Sequence, residues 1–151
     1  MNTHPYLRAY MAGIAVPTPL LLVVLTLFSI ARFVYNVPVP VERVIIFPMA
    51  IVPNLFGAWN VLYVASGSPL PLGIHGAILP FILAPLGFFL ARALDFLKVT
   101  RYGLIYFDVV ELHYVHLAMV FPAVLVLYYL VWKYLVGFFN RVAGITVAGA
   151  Q

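Results

Sequence analysis

The sequence predicts an all-α integral membrane protein: four kinked transmembrane helices in an up-down bundle, with a tight hairpin between the second and third. Three observations predict it. Of the 151 residues, 66% are hydrophobic and only 8% charged, where a soluble domain carries about 25% charged residues. The few charges leave uncharged runs long enough to cross a bilayer. Pro and Gly cluster where two helices must turn. Disorder is excluded, because a disordered chain needs low hydrophobicity and high charge.

The elements follow from the gaps between charges. Between Arg8 and Arg32 lie 23 uncharged residues, enough for one crossing helix of about 20 residues. A cleavable leader would have a shorter apolar region, roughly 7–15 residues, before a small-residue cleavage site. Here the apolar run continues to Phe33 and Val34, so a retained first span over 10–32 is expected. Val44 to Ala91 holds 48 residues without a charge, too many for one helix and right for two. The turn signal Ser66-Gly67-Ser68-Pro69-Leu70-Pro71-Leu72-Gly73 divides it into spans 44–65 and 74–97. Leu112 to Trp132 begins a fourth span over 112–135. The chain 1–151 is thus expected to be a single transmembrane domain with a polar interfacial segment over 92–111. Within it, Arg92–Arg101 carries a charge at every third residue and is expected to continue the third helix along an anionic lipid surface.

Four spans put both termini on one side. Arg32, Arg43, Arg92, Lys98 and Arg101 fall on the opposite side, against Arg8, Lys133 and Arg141 on the side of the termini. The excess of basic residues marks the cytoplasmic face, so the termini are expected on the non-cytoplasmic side. The net charge of +4 is then membrane topology. Eight scattered basic residues do not form a phosphate-tracking surface, and no nucleic-acid partner is expected.

Helical periodicity assigns faces. On the second span Ala50, Pro53, Asn54, Gly57, Ala58, Asn60 and Ala65 share one side, with Phe56, Trp59 and Tyr63 on the other. On the third, Gly76, Pro80, Ala84, Gly87 and Ala91 form a stripe. Membrane helices associate through small residues and interhelical hydrogen bonds, so these two stripes are expected to dock on each other. Ala15, Thr18, Thr26 and Ser29 form a weaker stripe on the first span.

Polar residues are few enough to weigh singly. The four acids Glu42, Asp95, Asp108 and Glu111 lie on one side of the membrane, as do His113 and His116. Arg92, Asp95, Asp108, Glu111, His113 and His116 are the candidate polar site at that face. Residues three apart lie about 60° apart around a helix, so His113 and His116 could reach one metal, which needs a third protein ligand for catalysis. His75 opens the third span on the other side, nearly the ~30 Å hydrocarbon core away, which leaves haem only at a subunit interface or on a single His. Asn54 and Asn60 are the candidate intramembrane polar contacts. The absence of cysteine removes disulfides and thiolate metal sites.

Motif tests return no family. G-x-S-G and H-E-x-x-H, which carry serine and zinc intramembrane proteolysis, are absent. Pro53-Asn-Leu-Phe-Gly-Ala-Trp-Asn-Val-Leu-Tyr63 resembles one segment of the tryptophan-rich sensory/translocator proteins. Its Phe and Trp spacings each differ by one residue, the rest of the pattern is absent and those proteins have five spans, so no membership is assigned. With no complete catalytic constellation and no cofactor predicted, the expected function is a non-catalytic subunit or assembly partner among membrane lipids, as a homo-oligomer or with other membrane subunits. A small-molecule transporter or channel is the first alternative. An interfacial enzyme or haem or metal redox protein using Asp108, Glu111, His113 and His116 is the second.

Overall fold

The computed structural model describes residues 4–37, 47–106 and 110–145. The chain is mostly helical. Its order is α1 (Pro5–Ile14), α2 (Pro17–Phe33), α3 (Phe47–Ser66), α4 (Leu72–Ala93), β1 (Leu97–Val99), β2 (Gly103–Tyr106), β3 (Val110–His113), α5 (Tyr114–Leu130), a π-helical turn (Val131–Val136) and α6 (Gly137–Val142). Three stretches are long and apolar enough to cross a membrane: Pro5–Phe33, Leu72–Ala93 and Tyr114–Val142. The chain divides into two compact units, Met1–Leu72 with Tyr134–Gln151, and Gly73–Lys133.

In the first unit α1 is the hub, lying against α3 and α6. Ala9, Ala12 and Gly13 are its buried face. A Cβ on Gly13 would lie 2.6 Å from the Phe56 carbonyl oxygen and 2.8 Å from the Gly57 Cα, so here the two backbones nearly touch. The helix breaks after Ile14 because Pro17 and Pro19 bring no N–H to the ladder; the Thr18 hydroxyl donates to the Ile14 carbonyl at 2.7 Å. On α3 the buried face is Phe56, Gly57, Asn60 and Tyr63. The expected wheel was therefore rotated: Phe56 and Tyr63 point inward, and Ala58 and Ala65 are exposed. The space beside Gly57 is filled from α1, by the Tyr10 ring and the Ile14 side chain. Beyond α3 the Tyr63 hydroxyl donates to the Leu70 carbonyl at 3.0 Å and ties down the turn before α4. α6 closes with Gly144 at φ 70, a left-handed position where Gly carries no Cβ penalty. There Ile145 N–H bonds the Asn140 carbonyl at 2.9 Å.

In the second unit α4 and α5 run antiparallel. Tyr129 lies against Gly73 and Trp132 against Gly76 at one end, while Phe81 meets Phe121 edge to face at 5.3 Å further along. The other end is closed by an antiparallel sheet in the order β1-β2-β3. Ala91, Leu97 and Leu104 are buried there, with Phe88, Phe96, Tyr106 and Leu117 packed around them.

This sheet corrects the all-α expectation, and with it the surface helix over 92–101 and a third helix reaching 97. α4 stops at Ala93. Asp95 takes the left-handed conformation, φ 55, and Phe96 N–H returns to the Ala91 carbonyl at 3.1 Å, a Schellman-type stop with the Phe96–Ala91 apolar contact that accompanies it. Beyond it the strand register sets the faces: Leu97, Val99, Leu104, Tyr106 and Leu112 lie on one, and Lys98, Ile105, Glu111 and His113 on the other. The three-residue spacing of the charges resembled a helix face but did not coincide with the apolar positions that pack. The last helix likewise starts at Tyr114, because Leu112 and His113 are strand residues.

Candidate functional site

Two groupings of polar side chains emerge, one in each unit. In the first, Asn60 is fully buried and donates Nδ2 to the Ala9 carbonyl and to Asn140 Oδ1, both at 2.7 Å. Asn140, also fully buried, donates back to Asn60 Oδ1 at 3.1 Å. The two amides close a reciprocal pair linking α3, α6 and α1. Asn54 is exposed; its Nδ2 donates to the Ala50 carbonyl one turn back at 2.6 Å, and its Oδ1 accepts from the Tyr10 hydroxyl. Both candidate intramembrane asparagines are thus engaged in interhelical hydrogen bonds. Asn140 was not singled out from sequence, although it is a lone amide among apolar residues eight positions after Trp132, on the same buried side as Val136.

In the second unit, β3 and the first turn of α5 carry Glu111, His113 and His116, all exposed. Glu111 and His113 share a strand face, and the His113 and His116 rings stand 5.8 Å apart at 76°. Arg92 and Asp95 sit at the end of α4, both exposed. Asp108, like Glu42 and Arg43, lies outside the described residues. Among the described residues no group of three His, Asp or Glu side chains is placed to hold a metal. His75, buried against Trp132 with ring centres 6.1 Å apart, is at the opposite end of α4 from the sheet.

The helix-packing residues divide in the same way. Gly57 receives Tyr10 and Ile14 of α1, and Gly76 receives the Trp132 indole. Each is occupied within its own unit. Pro80 and Ala91 are buried, but Ala84 is exposed and nothing lies within 4 Å of a Cβ built on Gly87. The stripe is therefore covered at its two ends and bare in the middle. Aromatic residues fill the close approaches, a role for Trp132, Tyr129 and Tyr10 that small-residue spacing alone does not signal.

No protein-family model, no curated protein and no solved structure matches this chain. Fold and site define a class only: a mostly helical protein with a small interposed sheet, three of whose helical stretches are long and apolar enough to cross a membrane.

Proposed function

We propose that this chain is a multi-pass integral membrane protein that serves as a non-catalytic subunit or assembly partner of a membrane complex. In this reading α3 is a fourth span, and both termini face the non-cytoplasmic side. The observation that carries it is the bareness of two helices. α2 buries only Pro17 and α5 buries no residue, whereas a helix packed in a self-sufficient fold hides an apolar stripe of at least ~100°. Lipid chains and neighbouring subunits are the surroundings such surfaces fit. The polar groups that a transport path would use are engaged instead: the Asn60 amide is committed to Asn140 and Ala9.

The test is native mass spectrometry of the protein gently extracted from its own membrane at natural abundance. Different chains bound at fixed stoichiometry are expected. A bare monomer or homo-oligomer that moves solute in reconstituted vesicles would overturn the subunit reading in favour of transport. A stoichiometric metal or a Soret band would overturn it in favour of redox chemistry near His113 and His116.

A further inference from the structure

Thr100, Arg101 and Tyr102 connect β1 to β2; Thr100 bonds across to Gly103, so Arg101 and Tyr102 form a two-residue tip. Two-residue hairpin loops favour Asn-Gly, Asp-Gly or Gly-containing pairs, because the turns that match strand twist need positive φ. Neither Arg101 nor Tyr102 has a positive φ. The turn is held by other means. Thr100 N–H donates to the Gly103 carbonyl at 2.9 Å, and Gly103 N–H donates to the Thr100 hydroxyl at 3.1 Å. From α5, the Tyr114 hydroxyl donates to the Thr100 carbonyl at 3.0 Å and the Tyr114 N–H to the Tyr102 carbonyl at 3.1 Å. Gly103 is required, since a Cβ there would collide with the Leu112 carbonyl on β3.

This clamped tip keeps two large side chains outside. Tyr102 is 66% exposed, Arg101 is exposed, and the guanidinium lies 5.9 Å from the centre of the Tyr102 ring. Val99 beside them is 44% exposed and Leu94, just past the end of α4, 40%. A local rule broken and then compensated by four hydrogen bonds points to a use for the side chains presented. Position supplies the partner. The sheet joins the end of α4 to the start of α5, two stretches long and apolar enough to cross a membrane, so if they do, it lies at the bilayer surface. There Tyr rings sit at headgroup level and Arg carries its charge to the phosphates along an apolar stem.

We infer that the Arg101–Tyr102 hairpin tip is an interfacial anchor that binds phospholipid headgroups and sets the depth of α4 and α5. The inference rests on the membrane reading above. Arg101 bonds a lipid phosphate, and Tyr102, Val99 and Leu94 take the apolar layer beneath it.

The chain contains no cysteine, so the full-length Val99→Cys protein can carry a single environment-sensitive NBD label beside Arg101 and Tyr102, both of which it retains. It is reconstituted in vesicles of phosphatidylcholine and phosphatidylglycerol bearing doxyl quenchers either near the headgroup or deep in the tails. The expected result is blue-shifted emission, quenched more by the shallow doxyl than by the deep one. Loss of one Arg near an anionic surface lowers the ratio of engaged to free tip by a factor of about five, so Arg101→Ala with Tyr102→Ser should remove most of the shallow quenching. These substitutions leave every backbone and Thr100 hydrogen bond of the turn in place. Emission at the aqueous wavelength, or quenching unchanged in the double variant, would overturn the anchor. Flotation is scored separately: a chain that does not float with the vesicles refutes the membrane reading, and one that floats with an unquenched label refutes the anchor alone.

Discussion

Asn60 and Asn140 are the residues on which the first unit is most sensitive. An interhelical hydrogen bond in a membrane contributes about 0.6 kcal/mol on average, but leaving one buried amide unpaired costs about 1–3 kcal/mol. Asn60→Ala should therefore lower the thermal midpoint in detergent by more than one bond is worth, because it leaves the buried Asn140 amide without its reciprocal partner. Replacing both asparagines with Leu should recover part of the loss, and a double-mutant cycle measures the coupling. Two glycines on α4 make a sharper contrast. Gly76→Ala would drive a methyl into the Trp132 indole, an overpacking that costs about 1–3 kcal/mol. Gly87→Ala meets nothing within 4 Å and should raise stability by up to about 1 kcal/mol through helix propensity. Equal thermal shifts for the two variants would show that Trp132 does not fill the Gly76 position. Both glycines lie on the stripe read from the sequence, and only the position of Trp132 tells them apart.

At the scale of the element, the sheet was the least legible part of the chain. Its strands are three to four residues long, too short for alternation to stand out, and the charge at every third residue competed with it. What makes them a sheet is non-local: α4 stops at Ala93, ahead of the left-handed Asp95, and Leu97 and Leu104 pack with Ala91. Tyr106 reports on this packing. Burial pushes its phenol above the ordinary value of 10.0, so the folded state holds the proton more tightly than the unfolded chain does. The associated stability is present in full below pH 10 and is lost as pH rises above that value towards the folded pKa. Tyr106→Phe should flatten this alkaline fall, as followed by unfolding across the alkaline range. An unchanged pH profile would mean that the phenol is as solvated in the folded protein as in the unfolded one.

For the whole molecule, the number of crossings is the quantity to measure. Single cysteines in place of Tyr6, Glu111 and Val142, all exposed, can be labelled with a membrane-impermeant maleimide in sealed vesicles of known orientation. Four spans predict that Tyr6→Cys and Val142→Cys react from one side and Glu111→Cys from the other, with Glu111 on the cytoplasmic side. Reaction of Tyr6→Cys and Val142→Cys from opposite sides would mean an odd number of crossings and move one terminus.

Composition and charge spacing alone determine that the chain is mostly helical and apolar, with stretches long enough to cross a membrane, because hydrophobic length is a one-dimensional property. They also single out Gly57, Gly76 and Asn60, since small and amide side chains stand out in an apolar string. Which partner each one meets is a matter of three dimensions. Asn60 lies 80 positions from Asn140, Gly76 receives an indole from Trp132, and the Arg101–Tyr102 turn is clamped by Tyr114. None of these pairings leaves a local trace, because the energy of each depends on two distant segments arriving together. Only the tertiary structure could decide them.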